Sequence, residues 1–183
     1  MSELSLNASG AVLTEPEMVI LEMEAKDRDD AAAQLAERMY AQGRLLDLDG
    51  FLKDVAAREH QMATGLPGGI GLPHARSKHV VKPSIAVGVC KYGHSVDFGA
   101  SDGPATVVLL IATPAAAYSE HLEVLATLAR SLFRPAFRES LRRAQDPEAL
   151  GAVRNLPIPA DNHRTITRRR ASPNSNALSF YLS

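Results

Sequence analysis

The chain has 183 residues, 45% of them hydrophobic, with 20 basic and 21 acidic side chains. This size suits one domain with a well-packed core. The charge is uneven, because residues 151–183 hold five arginines and one aspartate, whereas residues 1–150 hold 15 basic and 20 acidic residues. An acidic main body does not fit a nucleic-acid binder, and we expect no nucleic acid among the partners.

Three features of the sequence bear on where the protein works. Cys90 is the only cysteine, which excludes an intrachain disulfide, and its apolar surroundings predict an inert core thiol. The N-terminal segment 1–12 lacks the basic and apolar regions of a signal peptide. The longest apolar stretch, 106–117, is too short to span a bilayer and contains Pro114. We therefore predict a cytoplasmic protein.

The first half of the chain predicts one strand followed by two helices. Residues 18–24 alternate as a strand does, and Asp27 is placed to cap a helix that ends at Gly43. A second helix follows, with Asp49 as its expected cap. The residues expected to face inward are Ala32, Leu35, Ala36 and Met39 in the first helix and Phe51, Leu52, Val55 and Met62 in the second.

The second half predicts two strands and then helices. The pattern of residues 83–92 predicts a strand, and residues 105–113 are β-branched and nearly all apolar, which is typical of a strand buried on both faces. A helix capped by Ser119 follows, then one from Pro135 and a short one with Asp146 as cap and Pro147 in its first turn. The inward residues of the Ser119 helix are expected to be Leu122, Leu125, Leu128, Ala129 and Leu132.

Strands that alternate with helices predict an α/β fold in a single domain, with a central sheet covered by helices on both faces. After Val153 the composition changes to proline, asparagine, serine and arginine, with no apolar period. Residues 154–183 are therefore predicted to be a linker or a disordered basic tail.

A glycine-rich stretch, TGLPGGIGLPHARSKH at 64–79, lies between the second helix and the next strand. It is not a Walker loop, because Leu72 and Pro73 follow where Lys and Ser or Thr are needed, and it follows a helix, unlike a Rossmann loop. Its glycines allow close approach of a ligand or a partner chain. His74 comes directly after Pro73, and a neutral imidazole there is a competent nucleophile near pH 7. The alternative is a loop histidine with no role.

Three further residues join His74 as candidates. Arg58 comes shortly before the glycine-rich stretch and could pair with a phosphate, although it could equally be solvated. His121 begins an apolar stripe in the first turn of its helix, where the helix dipole favours anions; it could also be a core histidine. Thr64 could donate a hydroxyl hydrogen bond. A zinc site from His60, His74, His79 and His121 lacks closely spaced acidic or thiolate ligands, so we expect no metal.

Three segments resemble a known family: REHQMATGLPGGIGLPHAR, VDFGASDGPATVVLLIATP and SEHLEVLATLARSLFRPAFRESL. They are similar to the type-2 enzyme IIA domain of the sugar phosphotransferase system, the fructose/mannitol family that includes a nitrogen-regulatory branch. The resemblance covers roughly 13–150, places the domain at 13–153, and implies a mixed sheet flanked by helices on both sides.

The resemblance implies a phosphocarrier that needs no cofactor. The histidine of the Pro-His motif, here His74, would take phosphate from the carrier HPr and pass it to a IIB domain, which serves the membrane component IIC. Arg58 and His121 match the supporting residues, and Thr64 matches a position that is usually Ser or Thr. The closest likeness is to the fructose type. A nitrogen-type regulatory protein and a non-catalytic binding module of the same fold stay open as alternatives.

Overall fold

The computed structural model describes residues 12–154 and 156. The predicted segment 1–12 and tail 154–183 therefore lie outside the described residues, apart from Val12, Arg154 and Leu156. The described elements, in chain order, are β1 (Val19–Met23), α1 (Arg28–Ala41), α2 (Leu48–Gln61), β2 (Gly65–Leu66), β3 (Ile70–Gly71), β4 (His74–Ser77), β5 (Ser84–Cys90), β6 (Val107–Pro114), α3 (Tyr118–Leu132), α4 (Pro135–Arg142) and α5 (Gly151–Arg154).

The sheet is mixed, and β6 is its central strand. The order is β1-β5-β6-β3-β2, with β4 also paired to β6. Strand β5 runs antiparallel to β6, whereas β3 and β4 both run parallel to it and share its other edge. The Leu72-Pro73 step separates β3 from β4, and the Pro73 carbonyl accepts the Ile111 amide hydrogen at 3.0 Å. This arrangement fixes the backbone immediately before His74.

Helices cover both faces of the sheet, which confirms the predicted fold class. In β6 the side chains of Val108, Leu110 and Ala112 pack in a core cluster with α1 and α2. The alternate side chains of Val107, Leu109 and Ile111 pack in a second cluster with α3 and α4. Every residue from Val107 to Thr113 is buried. The strand was predicted at 105–113 and lies at Val107–Pro114.

The predicted cap of α1 is confirmed, and the predicted cap of α2 is wrong. Asp27 caps α1, since its Oδ1 accepts the Asp30 amide hydrogen at 2.8 Å. The prediction of Asp49 as cap of α2 is wrong. Asp47 is the cap and accepts the Gly50 amide hydrogen at 3.1 Å, which leaves Asp49 in the first turn, where its charge suits the helix dipole.

Helix α3 begins at Tyr118, with Ala117 at its N-cap position, so the Ser119 cap is wrong: Ser119 lies inside the first turn. Leu122 is also not an inward residue, being 39% exposed. It follows His121 by one position, about 100° around the helix, and lies outside the buried stripe that starts at His121. Leu125, Leu128, Ala129 and Leu132 are buried as predicted.

Three other residues predicted to lie in the core are less buried than expected. Leu52 is half-buried, and Met62 is 38% exposed because it lies past the end of α2 in extended conformation. Cys90 is half-buried at the end of β5, and burial raises the pKa of its thiol, which keeps it protonated and unreactive. Among the described residues, no helix combines the length and apolarity needed to cross a membrane.

Candidate active site

His74 is the first residue of β4, opposite Ile111 of β6, and is 2% exposed. Side chains alternate along a strand, and Ala75 packs in the cluster with α1 and α2. His74 therefore points to the other face, toward α3. Its ring centroid lies 5.9 Å from that of His121. The pairing of β4 with β6 thus brings together two histidines that are 47 positions apart in the chain.

The state of the His74 ring follows from its contacts. Its Nδ1 lies 2.8 Å from the carbonyl oxygen of Leu72, and a carbonyl can only accept, so Nδ1 carries the hydrogen. Burial lowers the pKa of His74 to about 4, the hydrogen bond to Leu72 opposes this, and the charge of Arg58 lowers it further. The ring is therefore neutral at pH 7, with its lone pair on Nε2. Among the described residues, Nε2 is buried without a hydrogen-bond partner.

His121 lies in the first turn of α3 and is 8% exposed. Its Nδ1 is hydrogen-bonded to the hydroxyl of Thr113, a buried residue near the end of β6. Burial lowers the pKa of His121 to about 4, and the charges of protonated His74, of Arg76 and of Arg58 act in the same direction. Thr113 is not among the site residues predicted from the sequence. Its signal is a hydroxyl that ends an otherwise apolar strand.

Arg58 lies in the last turn of α2, and its Nη1 donates to the Met62 carbonyl at 3.2 Å. Its positive charge acts on the pKa of both histidines. The structure therefore brings Arg58, His74 and His121 into one electrostatic neighbourhood, in which a positive charge stands beside two neutral rings. That combination favours an anionic group placed between them.

Thr64 is buried, and its hydrogen-bonding groups are already engaged. The hydroxyl donates to Glu59 Oε2 at 2.6 Å, and the amide donates to Glu59 Oε1 at 3.0 Å. The hydroxyl hydrogen predicted to serve a ligand is thus directed to a carboxylate. Glu59 was not predicted as a site residue. Its signal is spacing: Phe51, Val55 and Glu59 are four apart and lie on the buried stripe of α2.

The glycine-rich stretch forms a hairpin of β2 and β3 at the edge of a cavity. Gly68 and Gly69 turn the chain with φ values of 92° and 76°, which favour glycine. Gly71 packs so closely on the Phe98 ring that a Cβ atom would overlap it. The cavity has a volume of about 500 Å³, and its mainly apolar lining includes Leu66, Leu72, His74, Ala129, Leu132 and Phe133. His74 therefore lies beside a space that another molecule could enter.

No three His, Cys, Asp or Glu side chains are grouped as metal ligands in the part of the chain that the structure describes. His60, His74, His79 and His121 accordingly do not form the zinc site considered above. His60 is exposed, and His79 Nδ1 lies 3.8 Å from a carboxylate oxygen of Asp47.

A mixed sheet covered on both faces by helices, with two buried histidines beside its central strand, makes this an α/β domain. The chain belongs to the family described as phosphoenolpyruvate-dependent sugar phosphotransferase system, EIIA 2, whose model matches residues 12–153. This confirms the resemblance found in the sequence and makes the chain a component of a sugar phosphotransferase system.

Two relatives define the similarity in sequence. The PTS system fructose-specific EIIA component of Haloferax volcanii is 33% identical over 144 residues, which are 78% of this chain and 92% of that protein. The PTS system fructose-specific EIIABC component of Bacillus subtilis is 34% identical over 131 residues, 71% of this chain. The match spans only 20% of that longer protein.

Two solved structures define the similarity in fold. The nitrogen regulatory protein IIA-Ntr from Neisseria meningitidis superposes with a TM-score of 0.69 at 27% identity, over 77% of this chain and 95% of that one. Enzyme IIAMTL, in its complex with phosphorylated enzyme IIBMTL from Escherichia coli, gives a TM-score of 0.64 at 22% identity, over 76% of this chain and 95% of that one. The second likeness concerns the fold alone.

Proposed function

We propose that this domain accepts a phosphoryl group from phospho-HPr on His74 and passes it to a IIB domain. The observation that carries the proposal is the state of His74. Its Nδ1 hydrogen is held by the Leu72 carbonyl, its neutral ring leaves a lone pair on Nε2 that no described residue binds, and the His74 side chain lines a cavity. A histidine nucleophile needs this tautomer, held by a second hydrogen bond, to attack through the other nitrogen.

The phosphoryl transfer needs only the donor histidine and His74. The Nε2 lone pair of His74 attacks phosphorus, the bond from phosphorus to the donor histidine nitrogen breaks, and that electron pair stays on the donor ring. No proton has to leave Nε2. Positive charge grows on the His74 ring, and the Leu72 carbonyl, 2.8 Å from Nδ1, stabilises it. The reverse sequence delivers the group to a cysteine or histidine of IIB.

Arg58 and His121 stabilise the phosphoryl group in this proposal. Phosphoryl transfer spreads negative charge over three oxygens, and fixed positive charges and hydrogen-bond donors lower its barrier. Arg58 supplies charge. If the Thr113 hydroxyl donates to His121 Nδ1, the hydrogen of that ring is on Nε2 and is available to a phosphoryl oxygen. Thr64 contributes through backbone position, since its hydroxyl donates to Glu59.

The relatives support a particular sugar and a particular kind of partner. The fructose-specific name of the Haloferax relative supports fructose as the sugar, and the complex of IIAMTL with IIBMTL supports a IIB partner. A membrane IIC component would take part indirectly, with the domain itself in the cytoplasm. The second candidate is a regulatory role, favoured by the likeness to the nitrogen regulatory protein. There the phosphate would be a signal to other proteins.

The test is phosphorylation by phosphoenolpyruvate, enzyme I and HPr, followed by detection of acid-labile, alkali-stable phosphate. Wild type and the control His94→Ala, which alters an exposed histidine, should be labelled, and His74→Ala should not. Labelling of His74→Ala at the wild-type level would overturn the site. A wild type that takes no label would show a non-catalytic binding module.

A second step separates transport from regulation. Labelled protein is mixed with a fructose-type IIB domain, and loss of label is followed over time. Rapid transfer supports sugar uptake. Retention of the label on a protein that HPr phosphorylates well would favour the regulatory role.

A further inference from the structure

We propose that Glu59 is a positioning residue for His74, acting through Thr64 and Leu72. The inference rests on the proposed function. Glu59 is a carboxylate on the buried stripe of α2, and its residue is 8% exposed. Both its oxygens are used by one residue: the Thr64 amide donates to Oε1 at 3.0 Å and the Thr64 hydroxyl to Oε2 at 2.6 Å. Two bonds to the same residue fix both its place and its orientation.

Two more hydrogen bonds extend this contact to His74. The Thr64 carbonyl accepts the Leu72 amide hydrogen at 3.1 Å. The Leu72 carbonyl then accepts the Nδ1 hydrogen of His74 at 2.8 Å. Thr64 and Leu72 flank the two ends of the β2–β3 hairpin, where Gly65 pairs with Gly71. Glu59 therefore anchors the base of the hairpin. The Leu72 carbonyl, which holds the His74 ring, belongs to that base.

An ordinary ion pair does not account for Glu59. The nearest basic partner given by the structure is Arg28, whose Nη1 lies 3.9 Å from Oε1 and whose side chain is 44% exposed. That distance is long for a hydrogen bond, and a half-exposed arginine compensates little of the cost of burying a carboxylate. The Thr64 donors are the close contacts. The carboxylate is thus committed to the hairpin base rather than to a surface pair.

The consequence is a specific defect when the carboxylate is removed. Without it, Thr64 and the hairpin base lose their anchor to α2, and the Leu72 carbonyl moves relative to the His74 ring. The ring then samples the tautomer with its hydrogen on Nε2, which has no lone pair to attack with. A residue that only stabilised the fold would lower stability without changing the His74 tautomer.

The experiment uses the full chain with Glu59→Gln, Thr64→Val and the double variant. Thr127→Val is the matched control, because Thr127 is also buried and its hydroxyl accepts from Arg130 at 3.1 Å on α3. Ring ¹⁵N shifts of His74 report the tautomer, and initial label uptake from phospho-HPr reports the rate. Each single variant should raise the Nε2–H fraction and lower the rate by about tenfold, the cost of one lost hydrogen bond.

The double variant decides whether the two residues act together. If Glu59 acts through Thr64, the label-uptake rate of the double variant should lie within about threefold of the rate of the worse single variant. Two independent residues would instead lower the rate by the product of their separate losses. Thr127→Val should keep the wild-type rate and spectrum. The proposal would be overturned if folded Glu59→Gln kept the wild-type ¹⁵N shifts of the His74 ring. It would also be overturned if the rate losses of the two single variants multiplied in the double variant.

Two provisions keep the test decisive. If Glu59→Gln does not fold, Thr64→Ser is compared with Thr64→Val, because serine keeps both donors to Glu59 and should preserve more of the rate and the tautomer. Equal defects in the two would overturn the proposal. The ring spectra do not require phosphorylation, so a wild type that takes no label refutes the proposed function while the positioning by Glu59 is still measured.

Discussion

Lowering the pH from 7 to 5 tests the neutral state of His74. Burial lowers the pKa of His74 to about 4, whereas an unfolded histidine titrates near its ordinary value of 6.5. Between these values the unfolded chain binds a proton that the folded chain does not. The free energy of unfolding therefore falls as the pH drops through this window, and above about pH 7 His74 contributes no further change.

The magnitude follows from the two pKa values. At pH 5 the ordinary histidine is almost fully protonated and the buried one almost fully neutral, so His74 reduces the free energy of unfolding by about 2 kcal/mol relative to pH 7. The pKa of His121 is lowered as well, and its contribution has the same sign. At pH 5.5 the neutral fraction of His74 is about 97%, compared with about 9% for an unperturbed ring.

The assay compares urea unfolding of wild type and His74→Gln at both pH values. Other titrating groups are common to the two proteins, so the difference between them reports His74 together with its effect on the pKa of His121. Wild type should lose about 2 kcal/mol more than His74→Gln between pH 7 and 5. An NMR titration of the His74 ring gives the pKa directly. Equal losses in the two proteins, with a midpoint near 6.5, would refute the assignment of a buried neutral nucleophile.

Two substitutions test the residues around His74. Arg58→Ala removes a charge that acts on both histidines, and we expect initial label uptake from phospho-HPr to fall about 10- to 100-fold with an unchanged melting temperature. A large loss of thermal stability would instead mark Arg58 as structural. Thr113→Val removes the hydrogen bond to His121 Nδ1, and the rate should fall about tenfold with a shift of the His121 ring ¹⁵N signals. Unchanged His121 signals would refute a role of Thr113 in holding that ring.

The α/β class could be predicted because its signals are local and long. The run that forms β6 has six apolar residues in succession, Val107 to Ala112, and the helical patterns of α1 and α3 extend over more than three turns. Such patterns specify which face is buried without reference to the rest of the chain. Pro73 also acts locally, since it disfavours a helical Leu72 and so favours an extended entry to His74.

The short strands β2, β3 and β4 could not be predicted in the same way. They have two, two and four residues, too few for a period to show. Strands β3 and β4 depend on pairing with the edge of β6, which lies more than 30 positions further along the chain, and β2 depends in turn on pairing with β3. The residue before the true cap also has a distant partner: Leu46 donates its amide to the His79 carbonyl at 2.7 Å, a contact that the sequence pattern does not reveal.

Thr64 shows why residue type alone does not give a side chain its role. A hydroxyl beside a glycine loop suits a phosphate donor, and the sequence pattern supports that prediction. The structure turns the hydroxyl toward Glu59 because a carboxylate four residues after Val55 falls on the buried stripe of α2 and needs donors there. A charged residue that falls on the apolar stripe of a helix, as Glu59 does in α2, therefore indicates a buried polar contact. Here that contact connects α2, through Thr64 and Leu72, to Nδ1 of His74, which must keep its hydrogen.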